Sequence, residues 1–207
     1  GTQPVHWEPL PFANTFVLFS SGVTCHFALD SLTHRGRSRH PWGALIQVVF
    51  MAALLLAAWF GYRDGGDEGT FAMVLSLAGF VVVGVSLLPM LGLGPFNYGR
   101  AAFFGLLVAT IVLGAGFEAG QGYEFLTAKV HFSGPNNFGN AFFTMTGFHG
   151  GHVFGGLVLL TLVLGRSLAG QFNPENHVFV AAATLYWHFV DIVWIFLFGI
   201  LYLAVTY

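Results

Sequence analysis

The chain has 207 residues, of which 56% are apolar and only 8% charged, against roughly 25% charged in an ordinary soluble domain. So few charges cannot solvate a 22.4 kDa water-soluble fold, and with a mean hydropathy of +0.73 the fitting solvent is lipid. Seven Lys and Arg against nine Asp and Glu leave no basic field, which excludes nucleic acid as a partner, and the single Cys25 excludes a disulfide framework.

Residues 1–11 (GTQPVHWEPLP) read as an irregular arm with Trp7 as an interfacial anchor. Six apolar stretches of about 20 residues follow, the length that crosses a ~30 Å hydrocarbon core as helix: 12–32, 42–61, 71–91, 101–121, 141–164 and 178–202. The runs are too long and too continuous for barrel strands, which alternate. Gly, Pro, Asn and charges punctuate the breaks (RGRSRHP, RDGGDEG, LGLGPFNYGR, EFLTAKVHFSGPNN, RSLAGQFNPEN). The expected class is therefore all-α, a polytopic membrane bundle of six helices forming one domain over 1–207.

Positive charge sets the expected orientation. Alternate loops hold Arg35, Arg37, Arg39, Arg100 and Arg166 on one side, against Arg63 and Lys129 on the other, beside Asp64, Asp67 and Glu68. The Arg-rich side is expected in the cytoplasm, with both termini on the outer face of a bacterial-type inner membrane. The chain begins at Gly1, without Met or signal peptide. A start on the outer face then implies that something upstream was removed, left out or encoded elsewhere.

No room remains for a soluble catalytic domain, and no phosphate loop, Cys cluster or nucleophilic triad occurs. The ionisable groups at membrane depth carry the remaining interest, because each costs about 2.5–3.5 kcal/mol on insertion scales and needs a partner or a purpose. They are His26 and Asp30 in the first stretch, Glu118 and Glu124 at the fourth, His149 and His152 in the fifth, His188 and Asp191 in the sixth. His149 with His152, and His188 with Asp191, have i, i+3 spacing, so each pair projects from one helix face. Imidazoles with a carboxylate suit a metal. The more ordinary role of intramembrane His is an interhelical hydrogen bond, and Asp191 after His188 reads as such a polar lock. Glu124 is a structural acceptor, a lipid contact or a proton relay. Glu118 has no sequence-local partner, and a protonated, neutral side chain is one state a bilayer tolerates. Gly147, Gly151 and Gly155 form two overlapping GxxxG units, expected to pack a neighbouring helix closely.

Four segments resemble one family. FFTMTGFHGGHVFGGL (142–157) and YWHFVDIVWIFLF (186–198) are similar to the signatures of subunit III of haem–copper cytochrome oxidases. QGYEF (121–125) resembles that family's glutamine–x–x–glutamate–aromatic helix ending, and NTFVLFSSGVTCHFALDSL (14–32) an earlier helix. The resemblance implies a non-redox subunit: no catalytic residue, no bound metal or cofactor, haem and copper in partner subunits I and II, phospholipid held between helices, and support of proton uptake during oxygen reduction. It also implies structural or lipid-contact roles for Glu124, His149, His152, Trp187, His188, Asp191 and Trp194, and membership of a respiratory supercomplex is compatible with it. The chain departs from the family's pattern in an extra helical hairpin at 42–91, in lacking the upstream helices, and in carrying Glu118 where an uncharged residue is expected. The rivals are a subunit III-like protein of a nitric oxide reductase system, a stand-alone metal-binding or transport protein, and a lipid-holding assembly factor. Against a transporter stands the lack of an internal repeat or paired broken helices.

Overall fold

The structure, a computed structural model, describes residues 9–33, 41–91, 99–127 and 137–204. The first eight residues with Trp7, the loop residues Arg35, Arg37 and Arg39, and Lys129 lie outside the described residues. Six α-helices follow in order: α1 Pro9–Thr33, α2 Pro41–Asp64, α3 Gly66–Met90, α4 Arg100–Thr127, α5 Asn137–Leu168 and α6 Val178–Phe198. The chain continues from α6 as a π turn, Gly199–Ala204. All six helices are long and apolar enough to cross a membrane, and no strand is present among the described residues. The protein is an all-α integral membrane bundle.

Most helices outrun the apolar stretches, although α3 stops at Met90 and α6 gives way to the π turn after Phe198, short of the expected 91 and 202. Hydropathy marks only the part of a helix in hydrocarbon, whereas a helix continues through polar residues until its hydrogen-bond ladder is interrupted. Thus α5 begins at Asn137 and runs to Leu168, where the Gly170 and Gln171 amides bond back to Ser167 and Arg166 and close it. The arm read over 1–11 is corrected at its end: Pro9, Leu10 and Pro11 are helical. Proline is tolerated there because first-turn amides need no acceptor inside the helix.

α1 packs against α2, α3, α4 and α6, and α5 closes the group against α4 and α6. Its polar side chains Asn14, Ser20, Ser21 and Thr24 are all fully buried. Short side chains of this kind let helices approach and hydrogen-bond, which matters where lipid is as apolar as any core. Thr24 of α1 meets Thr110 of α4 at 2.9 Å, hydroxyl to hydroxyl. α2 and α3 form an antiparallel hairpin against α1 and α4, turned by Gly65 and Gly66 at φ +64° and +72°, a left-handed pair that favours glycine.

Both ends of the bundle are tied. At one, Arg100 of α4 donates to the Phe172 carbonyl in the α5–α6 turn at 3.5 Å, and Arg166 lies 5.2 Å and 5.0 Å from the stacked rings of Phe172 and Phe179. At the other, Tyr202 reaches Glu124 near the end of α4. α4 and α6 therefore run parallel.

Candidate functional site

The polar residues singled out in the sequence gather mostly along the inner seams of α1, α4, α5 and α6. Two tryptophans of α6 anchor them. Trp187 is fully buried and donates its Nε1–H to Ser21 Oγ of α1 at 3.0 Å. Its indole fills a slot between Gly114 of α4 and Gly156 of α5, where an added Cβ would stand 2.7 Å from ring atoms on either side. Trp194, two helical turns on and also fully buried, donates to Thr15 Oγ1 of α1 at 3.0 Å. Phe117 of α4 meets it edge-on at a centroid distance of 4.9 Å.

His149 lies against that second tryptophan, ring on ring at 5.0 Å and 28°, with Phe117 perpendicular at 5.9 Å. It is 2% exposed, and its Nε2 has no hydrogen-bond partner among the described residues. Glu124, also buried, accepts from Gln121 Nε2 at 3.2 Å and from the Tyr202 hydroxyl at 2.5 Å. The second bond joins α4 to the π turn. Tyr202→Phe should lower stability by about 0.6 kcal/mol, the average for a polar contact between membrane helices. Denaturation of purified wild type and variant in the same detergent checks this, and no change would mean that Glu124 finds an equal partner elsewhere.

His188 and Asp191 come together as their spacing predicts, Nδ1 to Oδ2 at 3.6 Å. Asp191 presses on Gly22 of α1, where a side chain would overlap the carboxylate. Beside it Cys25 contacts the Thr184 hydroxyl at 3.7 Å, and His26 lies 5.9 Å from the His188 ring, centroid to centroid. His152 does not join His149. It is exposed, with Nδ1 3.0 Å from the Tyr186 hydroxyl, which also donates to the His152 carbonyl at 3.2 Å. The two histidines stand about 60° apart around α5, enough to put His149 in the buried seam and His152 on the exposed side of the same face.

Glu118 is half-buried on α4 and faces Gly150 of α5, and its Oε2 has no hydrogen-bond partner among the described residues. Among the described residues no three His, Cys, Asp or Glu side chains are placed to hold a metal ion.

The glycine stripe needs correction. A Cβ at Gly151 would meet nothing within 4 Å, at Gly147 only Phe125 at 4.0 Å, and at Gly155 the Tyr186 hydroxyl at 3.5 Å. Gly151 is exposed, so the stripe is not a tight seam within this chain. The close approach on α5 is made by Gly156, on the face of buried Val153, Leu160 and Val163. Four partners in these seams, Ser21, Thr15, Tyr202 and Tyr186, were not singled out from the sequence. The signal for Thr15 and Ser21 was weak, Thr and Ser being scattered along an otherwise apolar first helix, and the two tyrosines lay among the many aromatics of the last stretch.

A six-helix membrane bundle whose buried tryptophans, histidine and carboxylates join helix to helix is thus the class defined by fold and site. The family described as Cytochrome c oxidase subunit III matches residues 97–205, which contain the seam residues of α4, α5 and α6. Cytochrome c oxidase subunit 3 of Synechocystis sp. is 35% identical over 187 residues, covering 81% of this chain and 78% of that protein. The same-named protein of Thermostichus vulcanus is 46% identical over 99 residues, 47% of this chain and 49% of that one. A probable cytochrome c oxidase subunit 3 of Mycobacterium leprae is 40% identical over 115 residues, 53% and 57%. The chain spans about half the length of these last two relatives. It belongs to the cytochrome c oxidase subunit III family.

Proposed function

We propose that this chain is the non-redox third subunit of a terminal haem–copper oxidase, stabilising the catalytic subunit, holding phospholipid and supporting proton uptake while oxygen is reduced to water. The carrying observation is the use made of the signature side chains. Trp187, Trp194, Glu124 and Asp191 are directed into helix seams and joined to side chains or backbone of neighbouring helices. Such contacts fix the positions of the helices relative to one another. In this reading the haem and copper belong to partner subunits I and II. The orientation with both termini outside a bacterial-type inner membrane, and a place in a larger respiratory assembly, belong to the same reading.

The test is affinity purification on this chain from gently solubilised native membranes, followed by a reduced-minus-oxidised spectrum, metal analysis and oxygen consumption. Haem with copper and oxygen uptake is the expected result. Haem with non-haem iron and no copper would select the nitric oxide reductase alternative. A colourless chain carrying its own metal would overturn both.

Glu118 separates structural support from proton transfer. Among the described residues its Oε2 has no hydrogen-bond partner, and its carboxylate faces Gly150 of α5. Glu118→Gln keeps the shape and removes the titratable proton, and is expected to leave oxygen consumption and subunit attachment unchanged. Slowed turnover with the subunit still attached would give Glu118 a proton-transfer role instead.

A further inference from the structure

The outer surface of the bundle is chemically uneven. On the α2–α3 hairpin, residues 42–60 and 71–88 include no ionisable side chain, and Leu45, Val49, Leu56, Val74, Val81 and Val85 project outward. That surface matches lipid chains and asks for nothing else. α6 also presents an apolar ridge, formed by Leu185, Phe189, Ile192 and Phe196, exposed by 72%, 54%, 53% and 66%. Polar groups line both of its flanks.

On the α5 side stands His152, midway along α5, exposed and bonded to Tyr186. Its Nε2 makes no hydrogen bond among the described residues. On the α1 side stand His26, exposed and held among the described residues by ring contacts alone, and His188, whose side chain is 35% exposed. Three imidazoles beside one ridge, well inside their helices, are poorly matched to acyl chains, which have no hydrogen-bonding group to offer. Water is scarce at that depth, so a polypeptide is the remaining source of donors and acceptors. Exposed Gly151 beside His152 leaves the surface low enough for a neighbouring backbone to come close.

We infer that the α6 ridge, with His152–Tyr186 on one flank and His26–His188 on the other, docks a transmembrane helix of the haem-bearing subunit, one that carries hydrogen-bonding side chains at matching depth, while the α2–α3 hairpin faces lipid. This rests on the oxidase-subunit reading above. It adds which face of the bundle meets the partner.

The test places photoreactive p-benzoylphenylalanine at Phe189 or at Val81 of the full chain in native membranes, with cross-linked products identified by mass spectrometry. The expected result is a product with the haem-bearing subunit from Phe189 and lipid adducts alone from Val81. His152→Leu should lower the haem recovered per chain about three- to tenfold, the range that one interhelical hydrogen bond supports. Cross-linking of the haem-bearing subunit through Val81, with only lipid at Phe189, would overturn the assignment of the face while leaving the oxidase reading intact. A Phe189 product with a second copy of this chain would also overturn it. Wild-type material without any haem-bearing partner would overturn the oxidase reading, and the docking face with it.

Discussion

Trp187→Ala should destabilise the bundle by about 3–5 kcal/mol, the cost of emptying a large aromatic site in a packed interior. One side chain of α6 here touches three other helices: Ser21 of α1 accepts its N–H, and Gly114 of α4 and Gly156 of α5 wall its ring. No hydrophobic drive exists between helices in lipid, so dispersion contact and hydrogen bonds must hold them together. A rigid indole between two glycine walls maximises the first and supplies one of the second. Trp187→Phe should cost distinctly less, because Ser21 keeps its own bond to the Leu18 carbonyl and is not orphaned. Gly156→Val tests the same slot from its wall, since the ring cannot flex away from an added side chain. Unfolding midpoints of the purified protein in one detergent report all three variants. A midpoint for Trp187→Ala equal to wild type would mean that the slot is not occupied as described.

The same slot explains how far the sequence could be read. Helix number, the all-α class and the family were legible, because hydrocarbon thickness fixes the length of apolar runs and the motifs at 142–157 and 186–198 are long. Which face of α5 points inward was not. In a water-soluble helix the polar side marks the outside, but a membrane helix is apolar all round and that contrast is missing. GxxxG at Gly147, Gly151 and Gly155 gave a spacing without a direction. The inward set runs through His149, Val153, Gly156, Leu160 and Val163, at steps of three and four. The mates of the tryptophans were equally hidden: Ser21 and Thr15 are distant in sequence, and only the antiparallel pairing of α1 with α6 brings them to Trp187 and Trp194. His188 with Asp191 was readable because both lie on one helix, three residues apart.

The α1–α6 seam should reveal its close contact through a sign reversal. Gly22→Ala alone is expected to destabilise by about 1–3 kcal/mol, because the new methyl occupies the place of the Asp191 carboxylate and the buried side chain must move. Asp191→Ala alone should cost less than the loss of a buried acid usually suggests. The pair it forms with His188 is long at 3.6 Å and borders a partly exposed ring, and its Oδ1 has no hydrogen-bond partner among the described residues. A long, incompletely satisfied pair returns little when its acid is removed, and the partly exposed His188 loses only that one weak contact. In the double variant the two alanines fit side by side, so the combined cost should fall below the sum of the singles by about 0.5–3 kcal/mol. Electrostatic locking predicts the opposite ordering, with Asp191→Ala the worse single and no rescue in the double. The cycle, measured as unfolding midpoints with haem recovery followed in parallel, decides whether Asp191 earns its place by packing on Gly22 or by its charge.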